Sequence, residues 1–234
     1  MKFRHELKYL INYRDHALIR LKLQSLLAFD ANVDPGGSYM VRSLYFDDYY
    51  NHAYNDKYAG VQNRTKYRIR IYNNSDKTIN LEKKTKRVSY NYKQTAPMTR
   101  EQVIGVLDGN YEVLLKDSNN LLEVFYHECV SNVMRPRVIV DYEREPYIME
   151  AGDVRVTFDK HIRAGAENFD IFDPDLPTAE ALAPGLLVLE VKFTEFLPNI
   201  LRKILPMNTS ADYLALSKFI LCCDKTTHIR HSHY

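Results

Sequence analysis

Charged side chains recur at every second position in several strand-like segments of this chain. Lys66, Arg68 and Arg70 show the pattern over consecutive steps, and the residues between them are apolar or aromatic. Because a β-strand points alternate side chains to opposite faces, such a segment carries one ionic face and one apolar face. The same spacing recurs in three further pairs, Glu6/Lys8, Glu82/Lys84 and Glu190/Lys192. Any fold of this chain must therefore accommodate the ionic faces of several strands that are distant in sequence.

Strand-like segments are the commonest secondary-structure pattern in the sequence. They are rich in Tyr, Val, Ile and Phe and are bounded by Asn, Asp, Gly or Pro. We predict strands over residues 3–11, 39–47, 64–72, 79–92, 137–144, 154–162 and 186–193. Most of them follow one another directly along the chain, which favours antiparallel pairing in a single large sheet or barrel over a wound parallel sheet.

Helical periodicity is limited to a few segments. Over residues 14–29, Leu18, Leu21, Leu26 and Phe29 recur among basic residues and predict an amphipathic helix. Thr99 and Gln102 form a capping-box pattern at the start of a helix predicted over residues 99–107. Two further amphipathic helices are predicted over residues 121–133 and 210–222.

Length and composition favour one domain over residues 1–234. The chain has 234 residues, 45% of them hydrophobic, and its 8 Gly and 9 Pro form no linker-like segment. No stretch approaches the ~20 apolar residues that a spanning helix requires, so we expect no membrane segment and a cytoplasmic protein. Cys129, Cys222 and Cys223 lack metal-ligand spacing and are expected to be buried, reduced thiols.

The charge balance narrows the class of ligand. A formal net charge of +2 argues against a nucleic-acid partner, since proteins that bind duplex DNA usually have a strong basic excess. The ionic faces could simply face water, as in any one-sided antiparallel sheet. They consist of Arg, Lys and Glu, however, with little Ser, Asn, Gln or Asp. A barrel with helices outside and charges inside explains this composition better.

An inward ring of cations has an electrostatic cost. Two like charges ~4 Å apart repel by ~4 kcal/mol at an effective dielectric of ~20, so such a ring requires an anion. Glutamates on the same faces can orient some cations and can supply oxygen ligands to a hard divalent metal. The residues therefore imply a polyanion bridged by a metal: triphosphate, a nucleoside triphosphate or polyphosphate.

Other phosphate-binding and catalytic motifs are absent from the sequence. There is no G-x-x-x-x-G-K-[ST] or G-x-G-x-x-G loop, so phosphates would be held by side chains. There is also no G-x-S-x-G elbow and no H-E-x-x-H helix. Nucleophilic acyl chemistry and zinc hydrolysis are thus unsupported.

Eight short segments, in this order, resemble the vacuolar transporter chaperone (VTC) domain of polyphosphate polymerases, within the triphosphate tunnel metalloenzyme superfamily. They are Arg4-His-Glu-Leu-Lys-Tyr9, Arg42-Ser-Leu-Tyr-Phe-Asp47, Arg64-Thr-Lys-Tyr-Arg-Ile-Arg70, Leu81-Glu-Lys-Lys-Thr85, Tyr142-Glu-Arg144, Val154-Arg-Val-Thr-Phe-Asp159, Leu189-Glu-Val-Lys192 and Ser217-Lys-Phe219. The resemblance implies an α+β fold: a closed antiparallel eight-stranded β-barrel, or tunnel, with helices packed outside. It also implies transfer of the terminal phosphate of ATP to a growing polyphosphate chain, with Mn²⁺ or Mg²⁺.

The resemblance also implies the site residues. Catalytic phosphate contacts are expected from Arg68, Arg70, Lys84, Arg144 and Lys218. Substrate binding is expected from Lys8, Lys66, Lys93, Tyr142, Arg155, Ser217 and Lys192. Glu190 matches the metal-ligand glutamate, and Glu82 and Lys192 lie where they can orient the phosphate-binding groups. Arg135 or Arg137 could replace Arg144 or Arg155 after a register slip.

Three activities remain open at this point. A polyphosphate polymerase is favoured, and a phosphohydrolase that acts on triphosphate or nucleoside triphosphates would use the same site. A non-catalytic polyphosphate-binding subunit is disfavoured by Glu190, because a pure anion binder has no need of a carboxylate on its basic wall. The sequence leaves the oligomeric state, the preferred metal and the product length open.

Overall fold

The computed structural model describes residues 5–30, 33–87, 90–166, 168–205 and 216–231. Its strands are β1 (His5–Asn12), β2 (Ala28–Phe29), β3 (Tyr39–Asp47), β4 (Arg64–Tyr72), β5 (Ser75–Arg87), β6 (Tyr90–Pro97), β7 (Arg135–Met149), β8 (Val154–Gly165), β9 (Ala179–Glu180) and β10 (Leu186–Phe193). Its helices are α1 (Tyr13–Gln24), α2 (His52–Tyr58), α3 (Arg100–Leu107), α4 (Asn120–Ser131), α5 (Asn199–Ile204) and α6 (Lys218–His231), with a 3₁₀ helix at Tyr111–Leu115.

The strands form one sheet of the α+β class, as predicted. Eight of them follow the order β1-β10-β8-β7-β3-β4-β5-β6, and the short strands β2 and β9 pair with β7 and β8. The predicted closure into a barrel is wrong: within the described residues, no pairing joins the edge strands β1 and β6. Alternation of side chains fixes which residues share a face, whereas closure depends on strand tilt and shear, which the alternation does not encode.

The described chain divides into two compact units. The first consists of Met1–Met40, Tyr142–Ile162 and Leu182–Ser217, and the second of Val41–Asp141, Arg163–Ala181 and Lys218–Tyr234. The expectation of one domain over residues 1–234 stays a prediction.

In the first unit, α1 packs on the apolar face of the sheet. Ile19 and Leu23 of α1 join strand residues such as Phe158 and Leu189 in one buried cluster. Asn12 is the N-cap of this helix, and its side chain accepts a hydrogen bond from the backbone N–H of Asp15. The buried carboxylate of Glu145 holds it further, because His16 and Arg20 of α1 both contact that carboxylate, at 3.1 and 2.8 Å.

In the second unit, α3 and α4 cover the apolar faces of the central strands. Ile69 and Leu81 pack in one cluster with Val106 of α3 and with Leu122 and Phe125 of α4. The predicted capping box is present, since the Thr99 side chain accepts from the backbone N–H of Gln102 and the Gln102 side chain accepts from that of Thr99. Helices α3 and α4 thus cover the apolar side chains of β4 and β5.

Several predicted elements differ in their limits. The segment 79–92 contains two strands, β5 and β6, which pair up to Arg87 and Tyr90; the apolar–ionic pattern continues through the hairpin without a Gly or Pro to mark it. The helix predicted at 210–222 begins at Lys218 and continues to His231, and residues 210–215 lie outside the described chain. Strand 3–11 corresponds to β1, and residues 3 and 4 lie outside the described chain.

The apolar stripe predicted for the first helix is also wrong. Leu18 and Leu21 are exposed, at 52% and 68%, and the buried positions of α1 are His16, Ile19 and Leu23. The helix ends at Gln24, and Phe29 belongs to β2. Ile19 and Leu23, four positions apart, form a second apolar row of the helix, and this row packs in the core on the face where His16 contacts Glu145.

The predicted thiols are confirmed, since Cys129, Cys222 and Cys223 are free and buried. In the described part of the chain, no helix is both long and apolar enough to cross a membrane.

Candidate functional site

The second unit carries an ionic face that we call the Glu82 face. It consists of Ser43, Tyr45, Lys66, Arg68, Arg70, Glu82, Lys84 and Lys93. The strand register aligns these residues: Arg68 lies opposite Tyr45 on β3 and opposite Glu82 on β5. Lys84 lies opposite Lys66 on β4 and opposite Lys93 on β6, so the three lysines form one row across the three strands. The sequence-predicted alternation thus brings the cations of three strands together.

Glu82 lies at the centre of this face and is 2% exposed. Its Oε2 accepts from Arg68 Nε at 2.7 Å, and its Oε1 accepts from Lys93 Nζ at 2.6 Å. Arg70 Nη1 lies 3.8 Å from Oε2. Burial would raise the pKa of Glu82, but the neighbouring cations, Arg68 foremost, outweigh it and lower the pKa to about 2. Glu82 is therefore ionised, and its negative charge offsets the repulsion between the neighbouring cations.

Two neutral side chains of β3 orient the arginines further. Arg68 Nη1 donates to the Tyr45 hydroxyl at 2.6 Å, and Arg70 Nε donates to Ser43 Oγ at 2.9 Å. Burial would raise the pKa of Tyr45, but Arg68, Arg70 and Lys218 of α6 together lower it. Lys218 therefore lies within electrostatic reach of this face, as its predicted role requires.

Lys66 differs from the other cations of the Glu82 face. Its Nζ is buried, and within the described residues it has no hydrogen-bond partner. It lies 4.1 Å from the centre of the Phe219 ring of α6. Burial lowers the pKa of Lys66 to about 7, so that its charge is only partly retained at neutral pH.

The first unit carries a second ionic face, which we call the Glu190 face. It consists of Glu6, Lys8, Tyr142, Arg144, Arg155, Thr157, Asp159, Glu190 and Lys192. On β1 and β10, Glu6 lies opposite Lys192 and Lys8 opposite Glu190, so the charges alternate both along and across the strands. On β8, Thr157 lies opposite Glu190 and Arg155 opposite Lys192.

Glu190 is 4% exposed and lies between two cations. Its Oε1 is 2.5 Å from Lys192 Nζ, and its Oε2 is 3.7 Å from Arg144 Nη2. Arg144 is held from the other side by Asp159, to which it donates from Nε and Nη2 at 2.7 and 2.9 Å. Burial lowers the pKa of Lys192 to about 8, although Glu190 opposes this effect.

The remaining predicted residues occupy different positions. The guanidinium of Arg144 lies 5.1 Å from the ring centre of the buried Tyr142. Arg155 Nη2 donates to the Tyr39 hydroxyl at 3.1 Å and lies 2.8 Å from Asp30. Ser217 is half-buried and directly precedes α6.

Contacts locate one of the two register alternatives, Arg135, whereas Arg137 has a buried Nε without a hydrogen-bond partner among the described residues. Arg135 Nη1 donates to the backbone carbonyls of Cys129 and Met134, which ties it to the end of α4 rather than to an ionic face. Arg144 and Arg155 themselves lie on the Glu190 face.

Sequence reasoning missed several residues of these faces. Asp159 and Thr157 alternate with apolar residues on β8, and their two-residue spacing from Arg155 could have identified them. Tyr39, Ser43 and Tyr45 share a face of β3 in the same way. The predicted pattern consisted of cations, glutamates and the hydroxyls of Tyr142 and Ser217, so it did not include an aspartate or the hydroxyls of β3 and β8.

The carboxylates limit how a metal could be held. In the described chain, no three His, Cys, Asp or Glu side chains gather into a metal-binding group. Glu6 contacts Lys8 at 2.6 Å, Asp159 contacts Arg144 and Glu190 contacts Lys192, so a metal at any of these carboxylates would share it with a cation. Glu190 nevertheless fits the mode preferred by Mg²⁺, in which one or two carboxylates and the phosphate oxygens of the substrate complete the shell.

A cavity of about 340 Å³ in the second unit lies apart from these residues. Phe46, Arg64, Tyr67 and Glu128 contribute to its lining, which includes none of the predicted site residues in the described chain. Asp47, at its edge, accepts hydrogen bonds from the backbone N–H groups of Ala53 and Tyr54, so it supports α2.

Comparisons with known proteins agree with these observations. A family model described as the VTC domain matches residues 3–227. A candidate adenylate cyclase from Bacillus halodurans has a TM-score of 0.51 at 11% identity, covering 89% of this chain and 95% of that chain. A candidate adenylyl cyclase from Hippeastrum, found to have a dominant triphosphatase activity, has a TM-score of 0.56 at 16% identity, covering 96% of each chain. At these identities the two structures show a shared fold only. No functionally curated protein matches the chain.

Proposed function

Because the chain belongs to the VTC domain family, we propose that it is a metal-dependent phosphotransferase that extends polyphosphate with the terminal phosphate of ATP. The observation that carries the proposal is the placement of buried Glu190 between Lys192 and Arg144. A carboxylate repels phosphate, and Arg144 already has Asp159 as its counterion, so a protein that only bound polyanions would gain little from a second carboxylate beside it. The same carboxylate is useful where a metal must meet the phosphates.

Each ionic face would contribute phosphate contacts. The contacts are proposed for each face by itself. On the Glu82 face, they come from Lys66, Arg68, Arg70, Lys84 and Lys93, with Lys218 nearby. On the Glu190 face, they come from Lys8, Tyr142, Arg144, Arg155 and Lys192, and Ser217 is proposed as a further hydroxyl contact. Phosphoryl transfer depends on positioning and on neutralisation of charge, which fixed guanidinium and ammonium groups provide.

The proposed reaction needs no side-chain nucleophile. A terminal oxygen of the polyphosphate chain attacks the γ-phosphorus of ATP in line and forms the new P–O bond. The bond from the γ-phosphorus to the bridging oxygen breaks, and its electron pair leaves with ADP. Glu190 would hold Mn²⁺ or Mg²⁺ together with phosphate oxygens, and the bound ion would neutralise charge on those oxygens.

Triphosphate hydrolysis is the second candidate activity. The specific observation in its favour is the dominant triphosphatase activity of the Hippeastrum protein, whose fold this chain shares. In that reaction water replaces the chain end as the attacking group, while the phosphate contacts stay the same. A non-catalytic polyphosphate-binding subunit remains the third possibility.

Product analysis tests the proposal. Purified protein is incubated with ATP and Mn²⁺, and in parallel with tripolyphosphate and Mg²⁺, and products are resolved by gel electrophoresis and by a free-phosphate assay. Long polyphosphate together with ADP is the expected result. Release of orthophosphate without chain growth would replace the polymerase with a hydrolase. Tight polyphosphate binding without any turnover would contradict both enzymatic assignments.

A further inference from the structure

Two polar atoms of the Glu190 face have no hydrogen-bond partner in the described part of the chain. They are Thr157 Oγ1 and Arg155 Nε, and both atoms are buried. The two residues are successive same-face positions of β8, so their Cα atoms lie about 6.7 Å apart along the strand. Thr157 as a whole is only 3% exposed, which leaves its hydroxyl little access to water.

Packing does not explain a threonine at position 157. A buried hydroxyl without a partner costs free energy, and valine has nearly the same shape and an equally high strand propensity. Valine already occupies position 156, on the opposite, apolar face of the same strand. The hydroxyl is therefore retained at a cost that a ligand could offset.

The surroundings of the hydroxyl indicate what that ligand is. Thr157 lies opposite Glu190, and Arg155 lies opposite Lys192, in a register that surrounds both unpaired atoms with fixed charges. Arg155 contacts the Tyr39 hydroxyl and the Asp30 carboxylate through Nη2, so its Nε–H can donate to a ligand on the Glu190 face. A threonine hydroxyl can donate a hydrogen bond to a phosphate oxygen, which an ionised carboxylate cannot do.

We propose that the hydroxyl of Thr157 and the Nε–H of Arg155 are substrate contacts that donate to oxygens of one extended inorganic triphosphate or polyphosphate lying along β8. Thr157 would place the phosphate group next to Glu190, and Arg155 would bind the chain one step further along the strand. This inference rests on the proposed function, because it names two contacts of the same substrate. It adds Thr157 to the site and assigns a specific donor atom to Arg155.

Thr157→Val and Thr157→Ser test the proposal together. The valine variant removes the hydroxyl with little change of shape, and the serine variant keeps it. Binding of tripolyphosphate is measured by calorimetry in EDTA and again with Mg²⁺, and thermal unfolding is measured without ligand. We expect Thr157→Val to weaken binding about 10-fold and Thr157→Ser to stay within about 2-fold of wild type.

The stability measurement separates a ligand contact from an internal role. Because the hydroxyl lacks a partner, Thr157→Val should raise the melting temperature by about 2–4 °C. Thr226→Val is the matched control: the hydroxyl of buried Thr226 already donates to the Cys223 carbonyl at 2.9 Å, so this variant should not gain stability and should bind normally.

The outcomes distinguish the inference from the function beneath it. If wild type binds tripolyphosphate and Thr157→Val binds it equally well, the contact is wrong and the proposed function stands. A lower melting temperature for Thr157→Val would show an internal partner and would also overturn the contact. If wild type fails to bind in both buffers, the proposed function fails and the inference fails with it.

Discussion

The Glu82 face and the Glu190 face each place a buried glutamate among cations, yet they use it differently. Glu82 is bound by Arg68 and Lys93 at 2.7 and 2.6 Å, and Arg70 lies beyond them. Glu190 has Lys192 at 2.5 Å and Arg144 at 3.7 Å, and Arg144 is held chiefly by Asp159. The first glutamate is the shared counterion of a cation cluster, whereas the second contacts Lys192 and lies beside Arg144, which Asp159 holds independently.

This difference distinguishes a carboxylate that stabilises the fold from one that is available for catalysis. Removing Glu82 leaves at least two arginines without their central counterion. Removing Glu190 leaves Arg144 on Asp159, and Lys192 can lose its proton because burial lowers the pKa of Lys192 to about 8. We therefore assign Glu82 to the stability of its face and Glu190 to chemistry.

The largest expected effect follows from Glu82→Gln. The change leaves the cations of Arg68 and Arg70 buried without compensation, and breaking a buried ion pair in this way costs about 3–5 kcal/mol. Urea unfolding should show this loss. Glu6→Gln is the matched control, since Glu6 is a glutamate on the other face that contacts Lys8, and it should cost much less. Equal losses would remove the contrast between the two faces.

Glu190→Gln should show the opposite profile. We expect at least about a 100-fold loss of turnover, corresponding to about 2.7 kcal/mol, because the variant cannot hold the metal against the phosphates. Its free energy of unfolding should fall by less than that of Glu82→Gln. The two quantities are measured on the same preparation by ADP formation from ATP and by urea unfolding. Unchanged turnover would show that the metal assignment is wrong.

The pH dependence of binding tests Lys66. Since burial lowers the pKa of Lys66 to about 7, the ammonium is charged below that pH and neutral above it. The groups facing it are Phe219 and Cys223 of α6, Lys57 of α2, Asp47 of β3, Lys84 of β5 and Arg64 on its own strand. A polyanion favours the charged form, so tripolyphosphate affinity should fall up to about 10-fold between pH 6 and pH 8.

Lys66→Met is the control for this pH dependence. The variant should bind weakly at both pH values and lose most of the slope. If the wild-type slope persists in Lys66→Met, another group titrates, and Lys66 is not the phosphate contact.

Lys93→Ala should have the smallest effect. Its side chain is 52% exposed, and exposed ion pairs typically contribute only about 0.2–1 kcal/mol to stability. Unfolding should therefore change little, while polyphosphate binding weakens a few-fold through the loss of one charge. A loss comparable to that of Glu82→Gln would mean that the Lys93 contact, not the arginine pair, stabilises the Glu82 face.

Alternation was enough to predict much of the fold from sequence. Arg68, Arg70 and Glu82 lie on one face because strand geometry has a period of two, and the family was recognised from the order of such segments. Barrel closure was wrong because it depends on tilt and shear. The buried face of α1 was wrong because the helix carries two apolar rows, and the row with Ile19 and Leu23 is the one that packs in the core.

Side-chain partners were the least predictable part of the site. Nothing in the sequence shows that Arg144 is held by Asp159 or that Arg135 is tied to the carbonyls at the end of α4. The first contact depends on how β7 and β8 are aligned across their hairpin, and the second depends on where α4 ends relative to the start of β7. The spacing of Thr157 from Arg155 could have placed it on the ionic face, but that its hydroxyl is unpaired can be recognised only after its neighbours are placed.

The central claim is that Glu190 serves chemistry on a triphosphate, whereas Glu82 serves structure. Phosphorus NMR of ATP and a tripolyphosphate acceptor with Mg²⁺ tests it most directly, with wild type, Glu190→Gln and the folded fraction of Glu82→Gln compared at equal concentration. We predict that wild type converts the ATP signals into those of ADP and longer polyphosphate, that Glu190→Gln leaves them unchanged, and that folded Glu82→Gln retains part of the activity. Conversion by Glu190→Gln at the wild-type rate, or no conversion by wild type, would contradict the account.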